Sequence, residues 1–347
     1  MTLGLSHIER DERWQFIVIV AFLLINSLVL ESNEVIATSG FVSHVGVQHI
    51  VWVWALDMII VMVTVALYSL IVDRVNRVAL TMRLFALFGF FYLAFYLLFQ
   101  LETLTWLVYP LLTILNDQQW SLFGLLIWAL ASDVFSTAQS KRLFPLLAMA
   151  VIVGSIVGNS TVAAVSQLLQ GRGDQLLLLN ALLMSGLALT LAWFQWQGKF
   201  EISVRPALND ERLADILREG FAFVQEVPLF RYLAVAMIPL GLAYNTVEYH
   251  LLYTLSAMDA VTLQTTYGVF KSVTALSLLL IQALVTTRLI NHFGLRRVFS
   301  FLPMILLVGL GSILFLPAFA ILGANFLARV TLQGIDEPAR QTLKNLV

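Results

Sequence analysis

The stretch VWVWALDMIIVMVTVALYSLIVDRVNRVALTMRLFALFGFFYLAFYLLFQ (residues 51–100) decides the fold class. Two apolar runs, 51–72 and 79–100, flank a short hinge that carries Asp73, Arg74, Asn76 and Arg77. A hydrocarbon core of about 30 Å needs about 20 apolar residues in helix, and each run is long enough. The pattern repeats along the chain, at 14–36, 104–131, 143–170, 175–196, 232–257, 262–286, 298–318 and 319–334, for ten spans in all. The last is interrupted by Arg329 and Gly334. With 60% of the 347 residues hydrophobic and only 12% charged, a soluble enzyme, a disordered chain and a nucleic-acid-binding module are excluded. The reading is an all-α, polytopic membrane protein whose constant partner is membrane lipid.

The chain has no cysteine, which removes disulfides, thiolate zinc sites and iron–sulfur clusters. None of the five histidines falls in a metal-binding spacing, so neither a metal nor a cofactor is expected. No GxxxxGK[ST] loop, Ser-His-Asp set or dinucleotide fingerprint is present, which argues against an enzyme and against an ATP-driven pump. The first run follows the charged stretch HIERDER (7–13) and is longer than a signal-peptide core, so it reads as a retained helix.

Lysine and arginine set the orientation. With a cytoplasmic N-terminus, 17 of the 20 basic residues fall on inner loops and only Arg172 on an outer one; Lys271 and Arg329 lie inside spans. That is a strong positive-inside asymmetry. The longest connection, 197–231, separates an N-terminal half of six spans (1–196) from a C-terminal part with four (232–347). Within it NDERLADILREGFAFVQEVP (209–228) reads as an amphipathic helix, capped by Asn209 or Asp210 and ended by Pro228. Leu213, Ile216, Leu217, Phe221 and Val224 share one face, which would rest on the inner ends of the membrane helices. A solvated linker is the alternative.

The hinge SLIVDRVNR (69–77) has a weak counterpart in TRLINHFGLRR (287–297), with Asp73 aligned to Asn291 and Asn76 to Gly294. Six spans, a cytoplasmic linker and a second set of spans with this repeated loop resemble the major facilitator superfamily, whose halves are parallel repeats. The resemblance implies a facilitator-type helical bundle of about ten transmembrane helices here, arranged 6 + 4, with the last two of the second half missing. It also implies an inner-face latch in the loops that carry Asp73, Arg74 and Arg77, and Arg296 and Arg297; at the 133–145 corner, beside Lys141 and Arg142, Asp133 is expected to pair with a basic residue as a further latch. Ser69 and Asn76 stand where the family pattern has glycine.

Three segments look like one branch of that superfamily, the bacterial and plastid ATP/ADP exchange carriers and their bacterial relatives. They are LIWALASDVFSTAQSKRLFPLLAMAVIVGSIVG (126–158), REGFAFVQEVPLFRYLA (218–234) and IQALVTTRLINHFGLRRVFSFLP (281–303), with DEPARQTL (336–343) beside them. The resemblance implies nucleotide exchange across a bacterial cytoplasmic membrane. One departure matters: those carriers place a lysine in the first helix, whereas here that run holds Asn26, Glu31, Asn33 and Glu34 and no base.

Ionisable groups inside a membrane are costly and mark sites. On the first span Asn26, Ser27, Glu31, Asn33 and Glu34 share an arc of about 160° that could line a cavity. The second and fourth spans add Asp57 and the run Asn116-Asp117-Gln118-Gln119. That run either lies within the fourth span or forms an outer loop at 116–119 before a span that starts later. On the fifth span Gly154 and Gly158 form a GxxxG spacing suited to close helix packing, while Asn159 needs a polar partner. The seventh and eighth spans carry Tyr244, Asn245 and Glu248, then Lys271. Glu248 and Lys271 fall at matching depth, about 22–24 Å above the inner face, and are expected to pair. The functional expectation is a secondary transporter working by alternating access on a small polar or anionic solute, a nucleotide if the resemblance carries over. The alternative is a membrane anchor, sensor or scaffold that keeps the fold without transport.

Overall fold

In a computed structural model, the structure describes residues 13–72, 75–101, 104–170, 172–198, 218, 222, 226, 228–293, 295–315 and 320–337. Among them there is no strand. Ten main helices account for most of them: α1 (Arg13–Phe41), α2 (Ile50–Val72), α3 (Arg77–Phe99), α4 (Thr105–Val134), α5 (Thr137–Leu168), α6 (Leu176–Trp196), α7 (Pro228–Leu255), α8 (Ala260–Ile281), α9 (Phe301–Phe315) and α10 (Ala320–Thr331). Short π-helical turns follow α1 (Val42–Gly46), α8 (Gln282–Thr286) and α10 (Leu332–Asp336), and two short helical pieces, Thr287–Phe293 and Leu295–Val298, precede α9.

The helix starts follow from local chemistry. Asn76 opens α3 by accepting from the N–H groups of Val78 and Ala79, two of the donors that a helix start leaves unpaired. Ser136 and Gln139 form a reciprocal capping box at the start of α5. With this cap the helix starts at Thr137, ahead of the apolar run that begins at 143, and Pro145 lies inside α5. Asp259 caps α8 through the N–H groups of Val261 and Thr262. The outer loop considered at 116–119 does not exist, because α4 runs unbroken through those residues. Its polar side chains find partners on neighbouring helices, which lets the backbone keep its own hydrogen bonds.

Five helical runs are long and apolar enough to cross a membrane: Arg13–Val72, Arg77–Phe99, Arg142–Leu168, Gly173–Trp196 and Ala260–Val285. The surface agrees with a lipid environment. On α2 the apolar residues Trp52, Met58 and Met62 are each more than two-thirds exposed, while Asp57 is buried. That inverts the soluble arrangement and suits a helix with lipid on most sides. The chain is therefore an all-α protein of multi-pass membrane type.

The chain divides into two compact units, one comprising 1–210 with 264–269 and the other 211–263 with 270–347. In the first, α1 is the centre and packs on α4, α5 and α6; α3 packs on α4 and α6, and α2 on α4. In the second, α7, α9 and α10 pack against one another.

Candidate functional site

The polar arc of α1 faces protein, and three neighbouring helices divide it. Asn26 accepts from Gln119 Nε2 at 3.0 Å, and Gln119 in turn accepts from the Tyr92 hydroxyl of α3. Asn33 donates to Asn116 at 3.1 Å, and Ser32 donates to Asn180 of α6, also at 3.1 Å. Asn33, Gln119 and Tyr92 are fully buried. The NDQQ run, which meets every side of α4, is thus shared out: Asn116 and Gln119 go to α1, and Gln118 reaches Asp57 of α2 at 3.3 Å. Asp117 is also within hydrogen-bonding reach of Asp57.

The seam between α1 and α5 is the tightest of these contacts. A Cβ built on Gly154 would collide with the carbonyl oxygen of Leu24, and one on Gly158 with that of Leu28. The GxxxG pair therefore brings two backbones together, as small residues do in membrane bundles. Glu31, Ser27, Ser155 and Asn159 lie along the same seam. Asn159 Nδ2 donates to Glu31 Oε2 at 3.0 Å, and Ser155 Oγ to Glu31 Oε1 at 3.4 Å. Ser27 Oγ donates to the carbonyl of Val151 at 2.7 Å and sits 2.9 Å from Ser155 Oγ. Three amide oxygens of this network, Asn33 Oδ1, Gln118 Oε1 and Asn159 Oδ1, are buried without a hydrogen-bond partner, as is the amide nitrogen of Asn180.

At the ends of α3 and α4, Arg77 Nη1 bonds both oxygens of Asp133, at 2.9 and 2.8 Å. Arg142 is part-buried on α5 and Arg297 is exposed. Asp73 and Arg74 lie outside the described residues, as do the side chains of Lys141 and Arg296 and nearly all of the amphipathic segment 209–228.

In the second unit the partner expected for Glu248 is Lys271, and the structure corrects that. Arg329 Nη2 of α10 donates to Glu248 Oε1 at 2.6 Å, and Asn325 Nδ2 donates to Glu248 Oε2 at 2.8 Å. Arg329 Nε closes the ring on Asn325 Oδ1 at 2.9 Å. Carboxylate, guanidinium and amide thus bond one another pairwise, all three residues buried. Depth matching on α7 and α8 compares only neighbours in sequence, whereas packing puts α10 against α7. In the sequence Arg329 reads only as a break in the last span. The signal that could have found the ring is its spacing: Asn325 and Arg329 are four residues apart, on one face of a helix. Lys271 is itself buried, Tyr244 is part-buried and Asn245 is exposed.

Among the described residues, no group of three or more His, Cys, Asp or Glu side chains could hold a metal ion. No protein-family model matches the chain, and no curated protein matches it.

Proposed function

We propose that the chain is a secondary transporter, laid out on the major facilitator plan and working by alternating access on a small polar or anionic solute. The observation that carries the reading is α1. The middle of this helix holds polar side chains at 26, 27, 31, 32 and 33, with bonded partners on α4, α5 and α6. A merely anchoring helix gains nothing from such residues, because each polar group taken from water costs free energy until it is paired. Transporters accept that cost to hold solute and coupling ions near the bilayer midplane. Nucleotide exchange in a bacterial cytoplasmic membrane, with the N-terminus inside, is the first specific reading to test. Carboxylates on α1, in place of a base, argue for a solute of lower negative charge than a triphosphate.

The test is counterflow. Proteoliposomes loaded with unlabelled solute should accumulate labelled external solute beyond equilibrium, with ADP and ATP tried first and smaller anionic metabolites next. Accumulation with any of them supports the transporter. A folded, reconstituted protein that shows none across the panel leaves the anchor or scaffold reading.

A further inference from the structure

Four residues where α8 meets α5 each hold a buried polar atom with no hydrogen-bond partner: Asn159 Oδ1 and Ser166 Oγ on α5, Gln264 Oε1 and Thr265 Oγ1 on α8. Residues 264–269 of α8 belong to the first unit, together with α5. The two helices touch at a glycine. A Cβ built on Gly268 would lie 3.1 Å from both the carbonyl oxygen of Asn159 and the Cβ of Ala163. Gln264 lies against Gly173, beyond the end of α5, where a built Cβ would collide with its amide. The helices are therefore antiparallel here. Ser166, on the stripe of Asn159 and Ala163, lies toward the same end as Gln264 and Thr265, which sit one turn from Gly268. Asn159 and Ser166 are 0% exposed and Gln264 is 5% exposed.

We propose that this crossing is the entry through which water, and a solute with it, reaches the Glu31–Asn159 pair. Each polar atom buried without a partner raises the free energy of the closed crossing, and water supplies the missing partner once the helices part. Water is near at hand. At 1.5 Å per residue Gln264 lies about 6 Å and Gly268 about 12 Å from the start of α8, beside the short turn that carries Gly173.

Asn159 joins the crossing to the polar seam. Its backbone carbonyl lies under Gly268, and its amide nitrogen holds Glu31 Oε2 at 3.0 Å. Lifting α8 from this residue uncovers the group that holds the carboxylate. The moving partner is α8 and not α1, because Ser27, Ser155 and Asn159 tie α5 to α1 through side-chain bonds, with the backbones in contact at Gly154 and Gly158. Entry of water is independent of the transporter reading; entry of a solute rests on it.

The experiment is thiol labelling of the full chain in proteoliposomes, which is direct because the chain has no cysteine. Ser166→Cys and Thr265→Cys should react with a charged methanethiosulfonate about tenfold faster, or more, than Leu126→Cys, a control at a 0% exposed position on α4. Gly268→Leu, which wedges α8 off Asn159 and Ala163, should raise both rates about fivefold further and leave the control unchanged. Should that variant not fold, Gly268→Ala should raise them about twofold. Ser166→Ala and Thr265→Val each remove an unpartnered hydroxyl, so each should raise the thermal midpoint by about 1–3 °C and slow labelling at the other position. Labelling at the control rate, or midpoints that fall in both hydroxyl variants, overturns the proposal. Fast labelling with failed counterflow would sink the transporter reading and leave the water entry standing.

Discussion

The ring of Glu248, Asn325 and Arg329 has a fixed direction, and that makes its response to substitution calculable. Arg329 can only donate, and an ionised Glu248 can only accept. Asn325 must therefore turn its nitrogen to the carboxylate and its oxygen to Arg329 Nε, as observed. In Glu248→Gln, the new side chain must give its oxygen to Arg329 and so presents an amide nitrogen to Asn325. Flipping Asn325 only moves the donor–donor contact to Arg329. One buried donor is stranded either way, at about 1–3 kcal/mol. Arg329→Met leaves a buried carboxylate facing a single amide, at about 3–5 kcal/mol. Combined, the two changes leave the introduced amide and Asn325 free to pair as neutral groups, so the double variant should lose no more than about 1.5 kcal/mol. The cycle should therefore show a coupling of about 2.5 kcal/mol or more. Reversible unfolding of purified protein in mixed detergent and denaturant would measure it. Single effects that simply add, within about 0.5 kcal/mol, would refute the closed ring.

Gly158→Ala should destabilise by about 1–3 kcal/mol in the same assay, because its Cβ would meet the Leu28 carbonyl of a backbone that cannot retreat. Gly124→Ala on α4, where nothing lies within 4 Å, should instead be neutral or stabilising by up to about 1 kcal/mol through helix propensity. Asp133→Asn should cost under about 1 kcal/mol, since the Arg77–Asp133 side chains are 27% and 20% exposed. In the transporter reading it should change turnover more than solute affinity, and the reverse would count against a latch. The Asp259 carboxyl is held below its ordinary range, chiefly by the hydrogen bond with the Thr262 side chain and then by the cap bonds to backbone N–H groups. A lowered native pKa means that the cap's contribution is present above the ordinary value near 3.8 and lost as pH falls through the lower native one. Exchange of the Val261 and Thr262 amides should accelerate in that acid window beyond its intrinsic rate, and Asp259→Asn should remove the extra acceleration.

Much of this molecule is legible in one dimension. Apolar run length is a local property, and the ten runs counted in the sequence reappear as helices α1–α10, with five helical runs among the described residues long and apolar enough to cross a membrane; where lipid is the neighbour, a segment must satisfy its backbone internally and so must be helical. The GxxxG spacing on α5 reads as a packing device for the same local reason, and the backbone contacts at Gly154 and Gly158 answer to it. The α1 arc, too, is visible from its periodicity. What periodicity cannot supply is the partner across a helix interface. Whether NDQQ breaks a helix depends on whether Asn26, Asn33, Asp57 and Tyr92 stand ready to receive it. Which base meets Glu248 depends on whether α8 or α10 presents one to α7 at contact distance. Charges at equal depth on consecutive helices are only permitted to pair. The choice is made by packing, and packing carries Arg329 and Asn325 from some 80 residues away onto one carboxylate.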